Sequence, residues 1–220
     1  MNKIFIDFEM NRVSKEYPDQ RRICRFEIIQ FGAVMLDGED RETDSFNEYV
    51  RPAFSDVMDR RIEKLTGIHF EQLSGADPFQ EVLRRFIAWC REDYEIYAWS
   101  GADLHQIRAE LSMKKIAVRE VEGLDYMIAH WHDYQKEFGK LFPFENAMSL
   151  STAVSLAGLD FSGRAHDGLS DARSTASIYV MTKDPEKFAV FKKKVLDNLR
   201  PKAFTMGDLF DFSGMERGRH

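Results

Sequence analysis

The chain has 220 residues, 44% of them hydrophobic and 13% aromatic, enough to fill the core of one large domain. A formal net charge of −6 excludes a broad basic surface that grips nucleic acid by charge alone; a nucleic-acid enzyme of this composition needs bound metal and local basic patches. Two cysteines, Cys24 and Cys90, make neither a disulfide framework nor a zinc pattern, and no run approaches the roughly 18 apolar residues of a membrane span, so a soluble protein of the reducing cytoplasm, without a signal peptide, is expected.

Residues 3–8 read as a first strand, and the Arg-rich stretch 12–25 as a polar connection. "EIIQFGAVML" (27–36) is a second strand closed by the turn signal Asp37-Gly38, and 45–52 is a third, stopped by Pro52. The pattern then turns helical. Ser55 is the expected cap of a helix over 55–65, and Asp77 of one over 77–90 with Pro78 in its first turn. "YEIYAW" (94–99) is a short strand. Helices are expected over 102–111, around 125–138, over 149–159 and over 169–182. Strands followed by alternating strands and helices indicate an α/β domain with a mixed sheet and helices on its faces. From 183 onward the chain becomes basic, seven Lys and Arg against three acids up to residue 202, which reads as a helical extension and tail beyond a domain of residues 1–182.

The end of the first strand carries the first chemical signal. Asp7 and Glu9 are two residues apart, so a strand points both to one face and Phe8 to the other. Two like charges held that close repel unless a cation sits between them. Asp103 opens a helix directly after the strand "YEIYAW". In "HDGLSDA", His166 precedes Asp171 by five residues at another helix start. Each acid alone is explained as a helix N-terminal charge or a solvated strand end. Together they fall where strand ends and helix starts converge on one edge of an α/β sheet.

"FIDFEMN", "YAWSGADLHQI" and "HDGLSDARSTA" resemble the three motifs of the DEDDh 3′→5′ exonucleases, which include RNase T-like, proofreading and ERI-type enzymes. "EIIQFGAVMLD" and "IEKLTGIHFEQL" resemble the same family, over residues 1–182 in all. The resemblance implies an RNase H-like fold, a mixed central sheet of about five strands flanked by helices. It implies metal-dependent hydrolysis at single-stranded 3′ ends, RNA slightly before DNA, with release of nucleoside 5′-monophosphates. It implies two divalent cations, Mg²⁺ or Mn²⁺, for which carboxylate oxygens are suitable hard ligands. By that resemblance Asp7 bridges both ions, Glu9 and Asp171 hold the ion that carries the nucleophile, Asp103 supports the other, and His166 is the general base. Phe8 and Met10 are candidate wedges against the terminal base, and His69, after "LTGI", a candidate substrate contact. Arg21, Arg22 and Arg25 are weighed as lining of a substrate path. Two rival readings stay open: a non-catalytic nucleic-acid-binding module, and a hydrolase of small phosphodiesters or dinucleotides. Whether the chain works alone or as a homodimer is open as well.

Overall fold

A computed structural model describes residues 1–142, 148–159 and 166–199. Strands β1 (Asn2–Arg12), β2 (Phe26–Leu36) and β3 (Glu42–Arg51) form an antiparallel meander, as the opening alternation of the chain predicts. β4 (Asp77–Pro78) lies parallel to β3, β5 (Tyr94–Ala98) parallel to β1, and β6 (Trp131–Asp133) parallel to β5. The sheet order is β4-β3-β2-β1-β5-β6, six strands where about five were expected; the additional edge strands are two and three residues long.

The described helices are α1 (Pro18–Ile23), α2 (Arg60–Thr66), α3 (Phe70–Ser74), α4 (Phe79–Cys90), α5 (Ala102–Met113), α6 (Leu124–Ala129), α7 (Tyr134–Gly139), α8 (Leu150–Ala157), α9 (Gly168–Lys183) and α10 (Pro185–Leu199). Alternation along β1 divides them into two layers. Ile4, Ile6 and Phe8 face α4, α5 and α6, where Phe31, Leu83, Phe86, Ile107 and Leu124 complete one core. Phe5 faces the other way, toward Tyr134, Ile178 and Tyr179 of α7 and α9, with Phe191 and Val195 of α10 in the same cluster. The basic extension therefore begins as a helix seated on the domain, and residues 200–220 lie outside the described part. No described helix is long and apolar enough to cross a membrane.

Three expected elements are displaced, each by a tertiary contact. The helix expected over 55–65 begins at Arg60, capped by Asp59 instead of Ser55. The side chain of Asn11 accepts from the Asp59 N–H at 2.9 Å and donates to the Val57 carbonyl at 2.9 Å, and Glu27 takes the N–H groups of Ala53 and Phe54. Those bonds hold the backbone before Asp59 in a non-helical path. Asp77 does not cap α4; with Pro78 it pairs to Val50 and Arg51 as an edge strand, and its carboxylate meets Arg85 at 3.0 Å. The helix expected around 125–138 is split by β6, because Trp131, His132 and Asp133 extend the sheet beside Ile96, Tyr97 and Ala98. His132 is thus a strand residue, held between Glu95 and Glu137.

Candidate active site

β1 outruns its parallel neighbour. Its pairing with β5 stops at Ile6↔Ala98, so the residues after Ile6 extend past the end of β5. α5 starts four residues after β5, and Asp103 in its first turn accepts the freed Phe8 N–H. Asp103 is thereby buried beside Asp7.

The opposite approach is made by α9. Asp7 pairs with Gly32 of β2, and a Cβ at Gly32 would lie 2.0 Å from the backbone carbon of Gly168. Gly168 in turn has the Asp7 carbonyl oxygen 3.0 Å from where its own Cβ would stand. Two glycines let the start of a helix touch the sheet backbone directly. That contact carries Asp171, one turn further on, to the strand end: carboxylate oxygens of Asp7, Glu9 and Asp171 lie within 4.8 Å of one another. His166 sits just before α9 at a left-handed φ of 62°, and its N–H donates to Asp171 Oδ2 at 3.2 Å. The residue is exposed, and its charge acts on Asp171.

The acids strain against one another. Burial, then the charges of Asp103, Glu9 and Asp171, push the Asp7 carboxyl well above its ordinary range. Burial and the charges of Asp171, Asp167 and Asp103 push Glu9 up to about 8. Asp103 rises to about 7, chiefly by burial, with Asp133 adding repulsion. Asp171 is raised by burial, against which the N–H and charge of His166 work. Among the described residues no Lys or Arg side chain pairs with any of these four carboxylates. All four donors are hard oxygens, which fits a hard divalent cation and not a soft one.

The three residues expected to touch substrate behave differently. Phe8 is 5% exposed, its ring edge-on to Phe31 at 4.6 Å; its strand face turns it toward the core, and it forms the inner wall of a cavity. Met10 lines this 220 Å³ cavity together with Glu9, Phe26, Ile62, Leu65 and Thr66. His69 does not line it. Its imidazole bonds Glu63 at 2.7 Å and its backbone caps α3.

Sequence reasoning missed Gln30, and read Asp167 only as a possible cap of the helix that carries Asp171. Gln30 is fully buried opposite Glu9; its amide donates to Asp167 Oδ1 at 2.8 Å and to Asn47 Oδ1 at 2.9 Å, and accepts from the Gly168 N–H at 3.2 Å. Asp167 caps α9 through the Ser170 N–H and hydroxyl. Its carboxylate is thus fully engaged, yet its charge still reaches Asp7, Glu9 and Asp171. One signal was available: a Gln inside the otherwise apolar run "EIIQFGAVML" needs a buried partner.

A profile of RNase T-type exonucleases matches residues 4–179. The chain belongs to the RNase T exonuclease family. Among the relatives of this chain is 3′-5′ exoribonuclease 1 of Rattus norvegicus, 28% identical over 166 residues, covering 70% of this chain and 46% of the relative. ERI1 exoribonuclease 2 of Danio rerio is 31% identical over 173 residues, covering 68% of this chain and 30% of that protein. The chain thus spans less than half the length of these curated relatives. A solved nuclease domain of 3′hExo, a DEDDh family member bound to rAMP, shares the fold with a TM-score of 0.69 at 24% identity, covering 83% of this chain and 91% of that one.

Proposed function

We propose that the protein is a metal-dependent 3′→5′ exonuclease that releases nucleoside 5′-monophosphates from single-stranded ends, RNA before DNA. One observation carries the reading: three carboxylates within 4.8 Å, a fourth beside them, and no Lys or Arg paired with them among the described residues. Two divalent ions, Mg²⁺ or Mn²⁺, held by Asp7, Glu9 and Asp171 on one side and by Asp7 and Asp103 on the other, would supply water activation and neutralise phosphate charge. The rest belongs to the side chains. His166, exposed over Asp171, is placed to take a proton from the attacking water at a ring nitrogen. Met10, Ile62 and Leu65 offer an apolar wall on which any base stacks, which positions the terminal nucleotide without reading its sequence. The preference for RNA is supported by the names of the relatives, two of which are exoribonucleases.

The test uses 5′-labelled RNA and DNA oligonucleotides with Mg²⁺ or Mn²⁺. A ladder shortening from the 3′ end with mononucleotide product is expected. Asp7→Asn should lower the rate about a thousandfold or more, since it removes several kcal/mol of charge stabilisation. His166→Ala should lower kcat by about 10²–10⁴. Equal degradation by all three proteins would assign the activity to a contaminant.

A further inference from the structure

Beyond the base cavity lies a second, larger concavity that the catalytic reading does not use. It measures 510 Å³ and is walled by the end of β1 and the residues after it, 12–16, and by Ser55, Val57, Met58, Asp59 and Arg61 at the approach to and start of α2, with Arg21 of α1 also in its lining. The two hollows share both walls in order. Phe8–Met10 and Arg12 succeed one another along β1, with Val13 and Ser14 following it, while Thr66, Leu65, Ile62 and Arg61 run back along α2 to its cap Asp59. At about 3.3 Å per strand residue, Arg12 stands roughly 10 Å beyond Glu9.

The walls are fixed, not loose. Ser14 N–H donates to the Phe54 carbonyl at 2.8 Å, and Asn11 bonds both Val57 and Asp59 across the gap. Arg12 lies over the Phe26 ring at 5.1 Å, with its Nε 3.1 Å from Asp59. That pair cancels the charge of Asp59. Lys15, Arg21 and Arg61 line the same hollow and pair with no carboxylate among the described residues, against a single remaining acid, Glu16. Val57 adds 62% exposed apolar surface. In a chain of net charge −6, a fixed trough with three unpaired cations beside an acidic centre is a local inversion of sign. Unpaired cations around an apolar floor suit a flexible polyanion, whose phosphates take the charge while its bases rest on the floor.

We propose that this trough binds the backbone phosphates of the single strand whose 3′ end occupies the acidic site. The inference rests on the exonuclease reading and adds to it a length requirement. A dinucleotide confined to the catalytic centre gains nothing from the trough, whereas a longer strand is held by it, so affinity grows with length until the trough is filled.

The experiment compares wild type, the triple variant Lys15→Ala/Arg21→Ala/Arg61→Ala, and Arg84→Ala, an exposed charge on α4 that serves as a control for net charge. Binding of a labelled single-stranded RNA dodecamer is followed by anisotropy in Ca²⁺, and KM by product release in Mn²⁺, for the dodecamer and for a dinucleotide. With about 0.7 counterions released per phosphate contact, the triple variant should bind the dodecamer about a hundredfold more weakly at 0.1 M salt, with the salt slope reduced by about 2. The wild-type advantage of dodecamer over dinucleotide should shrink correspondingly, and Arg84→Ala should match wild type. Dodecamer affinity within twofold of wild type at an unchanged salt slope overturns the trough. Absence of any metal-dependent product from wild type overturns instead the exonuclease reading on which it rests.

Discussion

Two clusters of buried carboxylates lie a few residues apart along β1 and β2, and they are resolved in opposite ways. Glu27 and Glu110 are both fully buried, and Lys114 stands between them, 2.7 Å from one and 3.4 Å from the other. Backbone N–H groups of Ala53, Phe54 and Ile28 satisfy their remaining oxygens apart from Glu110 Oε1. Asp7, Glu9, Asp103 and Asp171 are as crowded, and the described chain supplies them no such ammonium or guanidinium. Where the sequence brings its own cation, the cluster ties α5 and the loop at Ala53 to β2. Where it does not, the charge balance has to come from solution. The same electrostatic problem therefore serves structure in one place and leaves a site in the other.

Replacing the internal cation tests this contrast most severely. Lys114→Met leaves two buried carboxylates facing each other and should lower stability by about 3–5 kcal/mol in urea melts. Asp7→Asn should instead stabilise the metal-free protein, because it removes a charge that its neighbours repel. Equal losses from both would erase the distinction.

Metal and pH sharpen it next. The folded-state values of Glu9, about 8, and Asp103, about 7, stand above those of an unfolded chain, near 4. Between those limits the folded state holds more protons than the unfolded state, so these groups make the metal-free protein less stable as pH rises from about 4 to about 8. A divalent cation must displace those protons. The rise in Tm on adding Mn²⁺ should be larger at pH 8 than at pH 5, and equal shifts would disconnect the ion from these acids.

The smallest effect is expected at the edge of the cluster. Asp167→Asn keeps the cap on α9 in outline and removes a charge that reaches Asp7 and Glu9. The Mn²⁺ concentration for half-maximal activity should rise about tenfold, as outer groups of metal sites commonly impose. A loss confined to kcat at saturating Mn²⁺ would make Asp167 a structural cap alone.

Much of this site was legible beforehand because its signals are local. The i, i+2 spacing of Asp7 and Glu9 needs nothing but a strand, and Asp103 and Asp171 need only a helix start. α5 shows the limit of such signals. Its buried face carries Asp103, Gln106 and Glu110, so its core side looks polar in the sequence, and the purpose of Glu110 appears only when the Ile28 N–H and Lys114 are seen beside it. Phe8 shows a similar limit: its strand face turns it inward, and only the folded chain shows it walling the cavity beside Met10. Gln30 and Asp167 are 137 residues apart and meet through a close helix-to-sheet contact that no spacing encodes.

The sequence by itself determined the alternating opening strands, the identity of the acids and the histidine, and the resemblance that named their chemistry, since backbone periodicity and side-chain type are properties of short segments. The tertiary structure alone decided how near α9 comes to β1, through two facing glycines, and which charges go unpaired there. It also formed the trough along β1 and α2. Those features depend on distances between remote segments, which close packing sets only when the whole chain is folded.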